Sequence, residues 1–150
     1  MMIMTEKRES NIFIQGPISA EMIAESIKKH SSKSDIGAHN IFLGQIRKDT
    51  VGDQEVCAIE YTSYEVMAIN KMQEIKEDVF AKYNLICMHV LHSLGTIHIG
   101  EICLFVFTSS KHRKMANDAC QEIVERIKNE LPIWGREIFM DGNYKWKENC

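Results

Sequence analysis

The longest helical pattern in the chain is the feature that most constrains its fold. Residues 111–131 carry apolar side chains at helical spacing, and Pro132 follows directly. The apolar positions are Met115, Ala116, Ala119, Cys120, Ile123, Val124 and Ile127. Because they fall on one face, the pattern predicts an amphipathic helix that ends at the proline and buries this stripe against another layer.

Shorter helical and strand-like segments surround this helix. Two further helices are predicted over residues 20–30, where Ser19 is the cap, and over residues 65–83. Strands are predicted over residues 11–15, 38–47, 56–64, 85–94, 101–108, 133–140 and 144–147. Residues 48–55 are polar and are expected to form a loop, whereas Asp141 and Gly142 predict the turn of a closing hairpin.

This order of elements predicts the fold class. Helices separated by pairs of strands are typical of an α+β fold with a mixed, largely antiparallel sheet and about three helices. At 150 residues the chain has the length of one domain, so residues 1–150 are interpreted as a single domain. The short charged start, residues 1–10, is expected to be a flexible N-terminus rather than a signal peptide.

The composition argues against several classes of protein. The chain has 18 Lys and Arg against 21 Asp and Glu, a balance that a general nucleic-acid-binding protein would not show. No stretch approaches the roughly 18 apolar residues of a membrane span. Its five cysteines include no C-x-x-C pair, which argues against a disulfide framework and a zinc site and favours reduced thiols in the cytoplasm.

A basic run marks the start of the long helix. Lys111, His112, Arg113 and Lys114 stand where a predicted strand turns into it. Cations there oppose the helix dipole at a cost of about 0.3–1 kcal/mol each, so a bound anion such as a phosphate would compensate them. A solvated basic turn explains the run equally well from charge alone.

Four other residues carry side chains suited to chemistry, and each has a plainer alternative. Lys128 lies at the border of the apolar stripe, where a half-desolvated amine can serve as acid, base or nucleophile; the alternative is a lysine that keeps its charge in water. Arg47 lies at the end of a strand, where its guanidinium can bind a phosphate or a carboxylate through two hydrogen bonds; the alternative is a surface arginine. Arg136 and Glu137 follow the proline closely and are alternatively an ion pair across the hairpin. No phosphate-binding loop, dinucleotide motif or cysteine suited to carrying sulfur is apparent.

Taken together, the motifs resemble those of the large, catalytic subunit of molybdopterin synthase, over about residues 11–148. The resemblance is carried by Phe42-x-Gly44-x-Ile46-Arg47, Glu60-Tyr61-x-x-Tyr64 with Met67-Ala68, His92-x-x-Gly95, Gly100-Glu101, Ser110-x-His112-Arg113, Lys128, Pro132-x-Trp134-x-Arg136-Glu137, Gly142 and Trp146. Each motif alone is weak evidence for this family, but their order and spacing together are specific to it.

The resemblance implies an α/β hammerhead fold and a sulfur-transferring enzyme of molybdenum-cofactor biosynthesis. Members of the family convert cyclic pyranopterin monophosphate to molybdopterin by inserting two sulfurs. A small ubiquitin-like subunit donates the sulfur from its C-terminal thiocarboxylate. Two large subunits form the central dimer of a heterotetramer, and the large subunit needs no metal or organic cofactor.

The resemblance also assigns roles to residues. It makes Lys128 catalytic, and its substrate-binding positions are Gln45, Ile46, Arg47, His112, Arg113, Gly135, Arg136 and Glu137. Two of these depart from the family, which usually has lysine in place of Gly135 and a basic residue in place of Gln45. We consider Arg136, Lys111, Lys145 and Lys48 as replacements for the missing charges. The change Gly135→Lys is expected to keep the fold and tighten substrate binding, unless Gly135 has a positive φ, in which case lysine there would be strained and the variant destabilised.

The spacing of these residues suggests how a site is assembled. Arg113 and Lys128 are 15 residues apart, or about 22 Å along a helix, too far for one pterin monophosphate to touch both. We therefore expect a composite pocket at a two-fold interface between large subunits. Two other functions stay open: a non-catalytic module that binds the small subunit, and an enzyme acting on another phosphorylated metabolite.

Overall fold

The structure, a computed structural model, describes residues 11–147. The helices are α1 (Ala20–Lys29), α2 (Glu65–Tyr83) and α3 (Arg113–Glu130). The strands are β1 (Phe13–Gln15), β2 (Ala38–Gln45), β3 (Thr50–Val51), β4 (Gln54–Ser63), β5 (Cys87–His98), β6 (Ile102–Ser110), β7 (Ile133–Phe139) and β8 (Tyr144–Trp146). The flexible N-terminus predicted for residues 1–10 lies outside the described residues.

The strands form one mixed sheet. Its order is β2-β6-β5-β4-β7-β8, while β1 pairs with β5 and β3 pairs with β4. Only the β1–β5 pair is parallel among the described strands, and the others are antiparallel. The predicted α+β fold with three helices and a largely antiparallel sheet is therefore confirmed.

Strand β5 is longer than predicted. The sequence suggested an end at Leu94, but the strand continues to His98 and reverses around Gly100. Gly95 lies within it at φ 90°, a value that glycine adopts without steric cost. Up to His92 the strand pairs with β6, and from Gly95 it pairs with β4. This change of neighbour brings β4 and β7 beside the strands that carry the site.

The expected loop at residues 48–55 contains a short hairpin. Thr50 and Val51 pair with Glu55 and Gln54, and Gly52 at φ 63° forms part of the turn between them. The prediction of a continuous loop was wrong because the polar side chains conceal a turn that glycine allows.

The apolar stripe of α3 forms a central part of the core. Six of its seven positions are buried, with Met115 as the exception at 37% exposure. The stripe packs with α2 residues such as Ile75 and with Val106 of the sheet. This packing fixes the last turn of α3, which carries Lys128, over one end of the sheet. None of the described helices is long and apolar enough to cross a membrane.

Candidate active site

A cavity of about 350 Å³ opens where the end of β2 meets β4, β5, β6, β7 and the last turns of α3. Five of the nine predicted site residues line it: Gln45, Ile46, Arg47, Lys128 and Gly135. We call this cavity the Lys128 pocket. Residues distant in sequence meet here because the sheet and α3 contribute neighbouring segments from β2 to β7 to one cavity.

The end of β2 positions Arg47 at the pocket. A β-bulge separates Gly44 from Gln45, and the buried Ile46 donates its backbone N–H to Glu101 O at 3.0 Å. Arg47 then directs its guanidinium along the rim, where Nε is 2.7 Å from Asp49 Oδ1. The hydrogen bond from Arg47 lowers the pKa of the Asp49 carboxyl.

Lys128 lies in the last turn of α3, where a positive charge is favourable to the helix dipole. Lys128 is exposed within the described chain, and the chemical role of its amine stays a prediction. Its charge nevertheless acts inside the pocket, since it contributes to lowering the pKa of His92.

His92 is a buried, neutral imidazole in the pocket wall. Burial lowers its pKa to about 4, and the nearby Lys128 charge acts in the same direction. Nδ1 is 2.8 Å from the carbonyl oxygen of Ser93, which can only accept, so Nδ1 carries the proton. The Nε2 atom is therefore a hydrogen-bond acceptor. The Tyr61 ring stands nearly perpendicular to the imidazole at a centroid distance of 5.0 Å.

Tyr61 and Cys103 form a second neutral pair in the pocket. The Tyr61 hydroxyl donates to Cys103 Sγ at 3.7 Å, and the thiol donates to Gly44 O at 3.5 Å. Burial is the main cause that raises the pKa of both groups. The pocket therefore combines neutral inner walls with a charged rim.

Arg136 lies on the opposite side of the sheet from the Lys128 pocket. Strand alternation separates it from Gly135, and its Nε is 2.6 Å from Glu60 Oε1 on the neighbouring strand. Its guanidinium carbon lies 4.2 Å from the centre of the Tyr144 ring. Glu137 is close enough for its charge to contribute to raising the pKa of Tyr61, but it does not line the pocket.

His112 and Arg113 are at the other end of α3 from Lys128. Both are exposed, His112 is the N-cap residue without a side-chain capping bond, and the first turn has no acidic residue. A separation of about 22 Å along the helix keeps them away from the pocket of their own chain. A single chain, as far as it is described, therefore brings together the predicted site residues near Lys128 but not His112 and Arg113.

Five other pocket residues have no functional role that was predicted from the sequence. They are Asp49, Tyr61, His92, Cys103 and Lys147. Tyr61 and His92 occur in the motifs, but their side chains suit packing equally well. Lys147 could have been identified from the sequence. The predicted turn at Asp141 and Gly142 determines which residues oppose one another across β7 and β8.

A larger cavity of about 640 Å³ lies between α1, α2, β1 and β5. It is lined mostly by apolar side chains and contains none of the predicted site residues. Among residues 11–147, no group of three or more His, Cys, Asp or Glu side chains is arranged to hold a metal ion.

A sequence profile of the family described as MoaE protein matches residues 14–130, most of the chain. The chain belongs to the MoaE family. This MoaE-family chain is 36% identical over 121 residues to the molybdopterin synthase catalytic subunit of Aspergillus fumigatus, covering 81% of this chain and 64% of that relative. It is 35% identical over 126 residues to the protein of the same name from Bacillus subtilis, covering 84% and 77%.

Solved structures agree with the family assignment. Molybdopterin synthase from Staphylococcus aureus superposes on this MoaE-family chain with a TM-score of 0.80 and 30% identity, covering 91% of this chain and 95% of that one. The resemblance drawn from the motifs is thus confirmed at the level of family and fold. The chain spans less than two thirds of the length of the Aspergillus relative.

Proposed function

We propose that this chain is the catalytic subunit of a molybdopterin synthase. It converts cyclic pyranopterin monophosphate to molybdopterin with two sulfurs, each donated by the C-terminal thiocarboxylate of one small sulfur-carrier subunit, which is left as a carboxylate. The observation that carries the proposal is the Lys128 pocket, which joins Lys128 to Arg47 at the mouth of a cavity with neutral walls. The named relatives from Aspergillus and Bacillus support the same activity.

The chemistry of the pocket suits two anionic reactants. Arg47 and Lys128 attract the phosphate of the substrate and the thiocarboxylate of the donor. Lys128 also supplies a proton or a positive charge to the oxygen that sulfur replaces. His92 offers a neutral acceptor to an N–H or O–H group of the pterin, and Tyr61 offers a flat apolar surface beside it.

The proposal includes an assembly and a location. Two copies of the chain form a central dimer, with residues 1–150 of each as one domain, and one small subunit binds at each end of a heterotetramer in the cytoplasm. The start of α3, with His112 and Arg113, completes the pocket of the opposite large subunit. Arg136 and Glu137 support the pocket from β7.

The decisive experiment mixes the purified chain with the thiocarboxylated small subunit and cyclic pyranopterin monophosphate. The product is measured as a fluorescent oxidised derivative of molybdopterin. Formation well above a control without the large subunit is expected. No product with a donor that is active toward another large subunit would contradict the proposal, and binding of the small subunit without turnover would favour the non-catalytic module.

A further inference from the structure

The hairpin of β7 and β8 places Lys147 directly opposite Gly135. Arg136 pairs with Trp146 in this antiparallel ladder, so the next positions outward are Gly135 and Lys147. The backbone N–H of Lys147 donates to the carbonyl of Gly135 at 2.8 Å, which extends the ladder by one residue. Lys147 is thereby fixed relative to the pocket wall even though its side chain is exposed.

Directly opposed residues on antiparallel strands project from the same face of a sheet. Gly135 faces Tyr61 on β4, and the row continues through Lys147 across the hairpin. Lys147 accordingly lines the Lys128 pocket. Its charge also acts there, because it contributes to lowering the pKa of Asp49, after the larger effect of Arg47.

Position 135 itself has little room for a side chain. A Cβ atom there would lie 3.0 Å from Ile59 Cγ2 and 3.0 Å from Tyr61 Cε1. Position 147 is the adjacent backbone position on the same face, and a four-carbon stem spans the width of a strand. A cation at 147 can therefore enter the Lys128 pocket beside Gly135 without displacing Tyr61.

The four basic residues considered from the sequence do not take this position. Arg136, Lys111, Lys145 and Lys48 are all absent from the lining of the Lys128 pocket. Arg136 is held by Glu60 on the other side of the sheet, and Lys48 is 3.6 Å from Glu55. Among residues 11–147, the lining contains three basic side chains, those of Arg47, Lys128 and Lys147, against one carboxylate, that of Asp49.

We propose that Lys147 is a substrate-binding residue whose ammonium group contacts the phosphate of the substrate in the Lys128 pocket, in place of a basic side chain at position 135. The identity of the phosphorylated substrate rests on the function proposed above. The placement of a cation opposite Gly135 rests on the geometry alone.

The test compares Lys147→Gln with Lys147→Arg and with the matched control Lys145→Gln, which removes a charge from the same face of β8 outside the pocket. Steady-state kinetics with the thiocarboxylated small subunit are expected to show KM for cyclic pyranopterin monophosphate raised about tenfold by Lys147→Gln, with kcat within about twofold. Lys147→Arg should restore KM and Lys145→Gln should leave it unchanged. An unchanged KM in Lys147→Gln, or an equal rise in Lys145→Gln, overturns the assignment. Equal melting temperatures verify that the variants are folded.

A second measurement separates this inference from the proposed function. Inorganic phosphate is titrated into the chain alone, and the NMR shifts of the Ile46 and Gly135 amides report binding in the pocket. Phosphate is expected to shift both signals in the wild type and in Lys145→Gln, with binding at least several-fold weaker in Lys147→Gln. If the wild type makes no molybdopterin, the proposed function fails, while the titration still decides for or against Lys147. Equal phosphate binding by all three proteins, or by none of them, counts against Lys147.

Discussion

Tyr61 lies directly opposite Gly135, and its ring occupies the space that a side chain at position 135 would need. The Cδ1 and Cε1 atoms of the ring would lie 3.2 and 3.0 Å from a Cβ built on Gly135. The φ of Gly135 is not in the left-handed region, so crowding rather than backbone strain favours glycine. The same ring stands against His92 and donates its hydroxyl to Cys103. One glycine thus allows the aromatic wall of the pocket to form.

This relationship predicts that Gly135→Ala lowers the free energy of unfolding by about 1–3 kcal/mol, the usual cost of overpacking. Gly135→Lys should cost at least as much, contrary to the expectation from sequence that lysine there keeps the fold intact. Urea denaturation measures both. In a Tyr61→Ala background the cost of Gly135→Ala should shrink, because the ring is gone and only Ile59 stays close. Wild-type stability in Gly135→Ala would show that Tyr61 moves aside freely.

Buried His92 predicts a loss of stability in acid. The unfolded chain takes up a proton at this residue near its usual pKa of 6.5, whereas the folded chain does so only near 4. Between these values the unfolded state binds more protons, so stability falls as pH decreases from about 6.5 to about 4, by up to about 3 kcal/mol for this residue. Well above pH 6.5, His92 is neutral in both the folded and the unfolded chain, so it does not lower the free energy of unfolding.

The check is urea unfolding of the wild type and His92→Asn at pH 7 and pH 4.5. His39 and His89 also have lowered pKa values, caused mainly by burial, so both proteins lose stability in acid. The wild type should lose about 2–3 kcal/mol more than the variant. Equal losses would mean that His92 is protonated as readily in the folded state as in the unfolded chain.

Local patterns predicted those elements whose causes lie within a single segment. The stripe of α3 repeats every 3.6 residues and is followed by Pro132, so its existence and its end follow from local residues. The cap at Ser19 was predicted for the same reason, and its side chain accepts from Met22 N–H. The bend at Gly95 was interpreted as an end, because a glycine with positive φ looks the same in sequence whether the strand stops or turns.

The parts of the pocket that were missed depend on contacts between distant segments. Cys103 and Tyr61 are separated by 42 residues, and the sulfur has a role only because β4 and β6 are brought together. Lys147 follows a short strand whose three residues are all exposed, so only the hairpin register shows that it opposes Gly135. Residues whose side chains suit binding or catalysis could be selected from the sequence. The neighbouring pocket residues could be identified only from the way the strands pair in the sheet.

Lys128 is predicted to matter for chemistry and little for folding. Its side chain is exposed, while its neighbour Ile127 is buried in the core. Lys128→Ala should therefore change the free energy of unfolding by less than about 1 kcal/mol, well below the roughly 2–5 kcal/mol of a core truncation. Molybdopterin formation should fall by orders of magnitude. Near-normal turnover in a folded variant would remove Lys128 from the mechanism.

The last prediction concerns the two ends of α3, which a pocket in one chain does not join. If Arg113 of one large subunit completes the Lys128 pocket of the other, each site takes Lys128 from one chain and Arg113 from its partner. The variants Arg113→Ala and Lys128→Ala then each remove one residue from both sites of their own dimer. Each protein alone should be inactive, but a mixed dimer contains one site with both residues intact and should show about half of the wild-type activity. Arg47→Ala mixed with Lys128→Ala is the matched control, because both residues line the same pocket of one chain and no mixed dimer has an intact site. Subunit exchange is followed with two differently tagged chains. Activity in the first mixture and none in the second supports the composite site, whereas complete exchange with no activity in the first mixture refutes it.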